Sequence, residues 1–309
     1  MKRAAAVTLL LSLSSLALLD GQPAPSPAEQ DQAIAAIRQY SLNYAKSLPD
    51  YTCTRLTQQK SSPVIAIFAT DPELFGKQPP TVYRDTVVIE EELAVTGQQE
   101  HYKVLKVDTN FPRRLLPPDP IVGTIAVSEF SSVLDRIFEP ETGTSFRWAR
   151  LDKLRGRPVI VFSFDVPRSH GERVYDRAVS REVTVGYQGL VYADAESKAV
   201  LRVDTHSSDF PSDSEFIGID LTLDYKAATL GGREFVLPYR FDLRWHRHIP
   251  SARVKAKLLP EEASVEAEYK NYRSFSAQSA ISYDGADSLP QGEAHSTITF
   301  GGTPPVEKK

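Results

Sequence analysis

The sequence predicts a mostly β protein with a few helices: a large curved antiparallel meander sheet, half-barrel in shape, covered on one face by about two helices. Three observations predict it. Apolar residues recur at alternate positions from Ile217 to Trp245 on both sides of a Gly-Gly turn, which is the period of half-buried strands. Shorter alternating segments succeed one another at hairpin spacing through most of the remaining chain. Helical periodicity is confined to two segments.

Taken in order, Lys2 and Arg3 precede a run without charge from Ala4 to Leu19, the layout of a secretory signal peptide. The signal is expected over residues 1–21, with cleavage as late as 28, so the product is exported to the periplasm or beyond. The run is short of the roughly 20 apolar residues of a membrane span and carries Thr8, Ser12, Ser14 and Ser15. No other segment approaches that length, so the mature chain is expected to have no transmembrane segment. A single β-rich domain is expected over 22–285 and a mobile tail over 286–309, with a short strand at Thr297 to Phe300.

Ser26, Pro27 and Glu29 read as an N-cap, a first-turn proline and a capping-box acid. The helix they open is expected over about 27–48, with Ile34, Ile37, Tyr40, Tyr44 and Leu48 on one stripe. A strand follows at Tyr51-Thr52-Cys53-Thr54, and Val87 to Val95 with Tyr102 to Val107 form a hairpin around Thr96-Gly97. Val127, Phe130, Leu134 and Ile137 give a second helix that stops before Pro140. Phe146 and Trp148 pair across Arg155-Gly156-Arg157-Pro158 with Ile160, Phe162, Phe164 and Val166. Val183, Val185 and Tyr187 turn at Gln188-Gly189 toward Leu190 and Tyr192, and a turn at Asp194 to Lys198 leads to Leu201 and Val203. The main hairpin runs through Leu230-Gly231-Gly232-Arg233, and a last strand is expected from Tyr269 to Tyr283.

Composition narrows the function. Lys plus Arg number 36 against 40 Asp plus Glu, a net charge of −4, which excludes nucleic-acid binding steered by positive charge. With 41% hydrophobic and 25% charged residues the chain is globular rather than disordered. Cys53 is the one cysteine, so no internal disulfide forms and stability must come from packing.

Catalytic spacings are missing: the sequence holds no Gly-x-Ser-x-Gly, His-Glu-x-x-His, Gly-x-x-x-x-Gly-Lys or Gly-x-Gly-x-x-Gly. His246 and His248 share a strand face but are two ligands only, and Asp209, Asp213 and Glu215 do not follow calcium-loop spacing. Glu90 and Glu92 face water by alternation, and Arg113-Arg114 reads as an exposed loop pair. A protein without enzymatic activity, metal or cofactor is expected. Its candidate ligand lining is Ile219, Leu221, Leu223, Leu237, Tyr239, Phe241, Leu243 and Trp245. An apolar concavity of this kind suits an acyl chain, a lipid or a lipidated polypeptide. The bland alternative is that these residues are simply core. Two other classes stay open: an envelope interaction protein with a fully packed sheet and exposed aromatics such as Tyr269 and Tyr272, and a hydrolase assembled from scattered residues.

Three stretches carry a resemblance: Leu48-Pro49-Asp50-Tyr51-Thr52-Cys53-Thr54, Gly189 to Asp194 with Leu201-Arg202-Val203, and Asn271 to Phe275 with Ser279 to Asp284. Through them the chain resembles a family of secreted acidobacterial proteins of unknown function, similar in layout to periplasmic lipoprotein carriers of the LolA and LolB type and to the related sigma-factor regulators. The resemblance implies a half-barrel that holds lipid or lipidated polypeptide. It also implies a second cysteine where this chain has Tyr272, so a disulfide from Cys53 is not available here. The carriers' functional arginine has no motif by which to place it.

Overall fold

The computed structural model describes residues 24–61, 85–109, 132–176, 181–207, 209–250, 258–275 and 297–299. The expected signal peptide, Arg113-Arg114, Val127 and Phe130 of the second helical stripe, the 276–283 part of the expected last strand, and all of the tail except 297–299 lie outside the described residues.

Helix α1 spans Pro27–Ser47. The Ser26 hydroxyl accepts from the Glu29 N–H, and the Glu29 carboxylate accepts from the Ser26 N–H at 2.8 Å, so two amides of the open helix end are satisfied reciprocally. The Ser26 hydroxyl, which also donates to the Glu29 carboxylate at 2.7 Å, and next the Ser26 N–H hold the Glu29 carboxyl below its ordinary pKa. Leu48 leaves the helix in extended conformation and the chain enters β1 almost at once. Helix α2 is short, Ser132–Phe138.

Ten strands form one antiparallel sheet: β1 (Tyr51–Ser61), β2 (Asp85–Thr96), β3 (Gln99–Thr109), β4 (Ser145–Leu154), β5 (Arg157–Val166), β8 (Tyr187–Asp194), β9 (Val200–Ser207), β10 (Phe216–Leu230), β11 (Arg233–Pro250) and β12 (Leu258–Ser274). Their spatial order is β3-β2-β1-β12-β11-β10-β9-β8-β5-β4, so among the described residues the sheet stays open, with β3 and β4 at its edges. Strands β6 (Glu172–Asp176), β7 (Arg181–Val185) and β13 (Thr297–Thr299) make a separate small sheet, in which β13 runs parallel to β6. Tight turns at Gly97-Gln98, Arg155-Gly156 and Gly231-Gly232 all have positive φ at both central residues, matching the twist of the strands they join.

Two expected boundaries move. The last strand is β12, which starts at Leu258 and ends at Ser274. Its inward residues Ala263, Val265 and Ala267 are small and alternate with charged or hydroxyl neighbours, a weak apolar signal. Gln188-Gly189 is not a turn: both residues lie inside β8, and the chain breaks at Gly186 between β7 and β8. Gly189 serves close approach instead, since a Cβ there would sit 1.9 Å from the Asp204 carbonyl oxygen and 2.9 Å from the Phe164 ring.

The helices lie on one side of the sheet, here called the inner face. Ile37, Ser41 and Tyr44 of α1 are buried there, with the Tyr44 ring edge-on to Tyr225 at 5.8 Å and its hydroxyl donating to the Val236 carbonyl. Phe138 of α2 stacks on Phe146, and the Tyr187 hydroxyl donates to the Arg136 carbonyl.

Candidate functional site

The inner face is best read as rows running across the strands. Cross-strand pairing connects Trp148, Phe162, Val191, Val203, Leu223, Phe241, Ala267, Thr57, Ile89 and Val107 into one row with a residue from each strand of the ten-stranded sheet. Thr57 is its only polar member. Neighbouring pairs Leu221–Leu243–Val265 and Ile219–Trp245–Ala263 continue the wall across β10, β11 and β12.

Of the residues expected to line this face, Ile219, Leu221, Leu223, Leu237, Phe241, Leu243 and Trp245 are buried in one connected cluster with α1 and α2. Tyr239 is a correction. The pairing jumps from Asp224–Arg240 to Tyr225–Pro238, so Tyr239 falls in a bulge, is 38% exposed and lies near the Lys226 ammonium instead. Ile217 is displaced by a second irregularity, between Phe216 and Gly218: Phe216 is buried and Ile217 is 50% exposed. Strict alternation misplaces both because a single extra residue reverses which side chain faces inward.

The row beside Thr57 holds the group that alternation alone did not single out. Arg55 on β1 stands opposite Glu91 on β2, and its Nε donates to the Glu91 carboxylate at 2.8 Å. Both side chains are only 4% exposed, on a face where their strand neighbours are Cys53, Thr57, Ile89 and Leu93. The Tyr102 ring of β3 lies 4.6 Å from the guanidinium, and its own hydroxyl donates to Glu100. A bulge at Glu90/Glu91 accompanies the pair: it skips Leu105, which is 53% exposed. Withdrawing two ions from water costs several kcal/mol each, and well-packed apolar residues in their place are often as stable or more so. The Thr57 hydroxyl is buried as well and makes no hydrogen bond among the described residues, a further cost of about 1–3 kcal/mol. The sequence did hold a signal: counting by twos from Tyr51 puts Arg55 and Thr57 on the buried face, and counting from Ile89 to Leu93 does the same for Glu91.

Next to this set, Tyr272 packs on Tyr51 with ring centroids 5.7 Å apart and donates to the Pro238 carbonyl at 2.5 Å. Burial pushes the phenols of Tyr44, Tyr51 and Tyr272 well above the ordinary range, and the Cys53 thiol beside Tyr51 and Tyr272 adds to the effect. Tyr272 therefore does lie against Cys53, in the position where the resemblance implies a second cysteine.

The outer face is mostly polar, apart from a small buried apolar cluster of Val159, Val161 and Leu201. A shallow groove of about 410 Å³ crosses it, lined among others by Arg147, Ser163, Gln188, Asp204, His206 and Asp220. His206 contacts Asp220 at 2.7 Å, and His246 approaches the same carboxylate at 4.0 Å. Asp224 is clamped by Arg155 and by both arms of Arg202, at 2.7 to 2.9 Å. No group of three His, Cys, Asp or Glu among the described residues is arranged to hold a metal ion. No helix among them is long and apolar enough to cross a membrane.

No family model and no curated protein matches the chain. Solved structures give remote likeness. A putative outer membrane lipoprotein-sorting protein domain from Vibrio parahaemolyticus is 11% identical over 79% of this chain and 92% of its own, with a TM-score of 0.35. A DUF1329 family protein from Desulfovibrio piger is 8% identical over 80% and 95%, with a TM-score of 0.34. The Mycobacterium tuberculosis lipoprotein LppX is 10% identical over 78% and 95%, with a TM-score of 0.25. Similarity this distant assigns the chain to no family.

Proposed function

We propose that the chain is a non-enzymatic exported envelope protein that holds an acyl chain, a lipid or a lipidated polypeptide against the inner face of its open sheet. The observation that supports this most is the polar set Arg55, Glu91 and Thr57 buried within an otherwise apolar wall. A face kept only for packing gains nothing from two desolvated ions and an unsatisfied hydroxyl, whereas polar groups placed within an apolar surface are what orient an amphipathic ligand. The signal-like layout of residues 1–21 supports export.

Native mass spectrometry of protein purified from an exporting host tests the reading. A retained acyl-containing mass is expected, together with a higher melting temperature on adding long-chain acyl esters. Protein that emerges without such a mass and is unmoved by added acyl compounds overturns it.

One observation favours interaction with another polypeptide: edge strand β3 exposes Val104, Leu105 and Val107. The exposed aromatics that such a role anticipates at Tyr269 and Tyr272 are instead buried and part-buried.

A further inference from the structure

We infer that Thr57, Arg55 and Glu91 form a subsite for an uncharged acyl carbonyl, an ester or an amide, and that this subsite discriminates against a free carboxylate. The inference rests on the acyl-binding reading above and adds the chemistry of the ligand's polar end.

Charge decides the class of ligand. The Arg55 guanidinium already has its counter-ion in Glu91 at 2.8 Å, and both are withdrawn from water. A ligand carboxylate entering here would place a second anion beside Glu91 in a dry site, where like charges disfavour each other most. An uncharged carbonyl meets no such opposition and requires only a hydrogen-bond donor. Thr57 supplies one: its hydroxyl is buried, makes no hydrogen bond among the described residues, and is the single polar group in the row that crosses all ten strands. A hydrocarbon tail extending from that point along the row meets Ala267, Phe241 and Leu223 in succession, all apolar. Placed on the same face one pair away, the neutral Arg55–Glu91 dipole faces the carbonyl without adding net charge.

The test is competition binding of methyl palmitate, N-methyl palmitamide and palmitate, at a pH where palmitate is ionised, to the full chain and to Thr57→Val and Glu91→Gln. Wild type is expected to bind the ester and the amide at least about tenfold more tightly than palmitate. Thr57→Val, which keeps the shape of the side chain, should weaken the two neutral ligands by about 2–10-fold, the worth of one hydrogen bond, and raise the melting temperature of the ligand-free protein. Glu91→Gln should narrow or invert the preference, since it removes the carboxylate that opposes a second anion at the site. Palmitate bound as well as the ester by wild type, or neutral ligands bound equally by Thr57→Val and wild type, overturns the subsite while leaving acyl binding intact. Failure of all three probes to bind wild type overturns the acyl reading itself.

Discussion

From β4 to β11 the inner face carries aromatic and branched side chains against α1 and α2, whereas on β12, β1 and β2 it carries Arg55, Glu91 and Thr57 among Ala263, Val265, Ala267, Tyr269, Tyr51, Cys53, Ile89 and Leu93. The inner-face residues named on β12, β1 and β2 are as buried as those of the first region, whereas on β3 Val107 is 38% exposed. In the first, the buried aromatic and branched side chains add contact area. In the second, three buried polar groups oppose stability, and their presence calls for a purpose other than packing. Burial by itself therefore does not separate the two regions; the cost of what is buried does.

The sharpest way to break the comparison is to remove one ion. Arg55→Met leaves Glu91 buried without its counter-ion and is expected to lower stability by about 3–5 kcal/mol, read from the urea midpoint. The double change Arg55→Met with Glu91→Leu should recover most of that loss. If the double variant is as damaged as the single one, the pair is structural and the contrast between the two regions fails.

On the packed side, Leu223→Ala is expected to cost about 2–5 kcal/mol through lost contact and a cavity, with no partner substitution that restores it. Gly189→Ala forces a methyl group into the Asp204 carbonyl and should cost about 1–3 kcal/mol. A negligible change in denaturation midpoint would mean that β8 and β9 are looser than the register indicates. At the start of α1, Ser26→Ala removes the reciprocal cap and should cost about 0.5–2 kcal/mol, with a matching loss of helical circular dichroism on warming.

The smallest effect is one of pH. Burial, and next the neighbouring Glu139, push the Asp135 carboxyl of α2 up to about 6, above its ordinary value of 3.8. The folded chain thus holds this proton more tightly than the unfolded one, so the contribution of Asp135 to stability is present below pH 4 and is lost as pH rises toward 6. Asp135→Asn should flatten the stability profile across that window. An unchanged profile would show that the carboxyl is hydrated.

Much of the fold was legible because it is local. Ser26-Pro27 with Glu29, the alternation from Ile219 to Trp245 and the Gly231-Gly232 turn each determine their own structure within a few residues. What escaped depends on partners. Tyr239 and Ile217 change sides because of bulges, which arise from the pairing of two strands and leave no mark in either one. Gly189 looks like a turn residue until Asp204 and Phe164 are seen to occupy the space of its missing side chain. The polar set was half legible: alternation assigns Arg55 and Thr57 to one face of β1, but only the register with β2 brings Glu91 to Arg55. A charged residue read singly is taken for a solvated one.

A photoactivatable diazirine ester of palmitate, crosslinked to the full chain and mapped by peptide mass spectrometry, tests most directly whether the inner face holds the proposed ligand. Adducts on the β1, β11 and β12 peptides that carry Thr57, Phe241, Leu243 and Ala267, abolished by excess unlabelled ester, are the expected result. Labelling confined to the outer groove around His206 and Asp220, or labelling that excess ester fails to suppress, would contradict it.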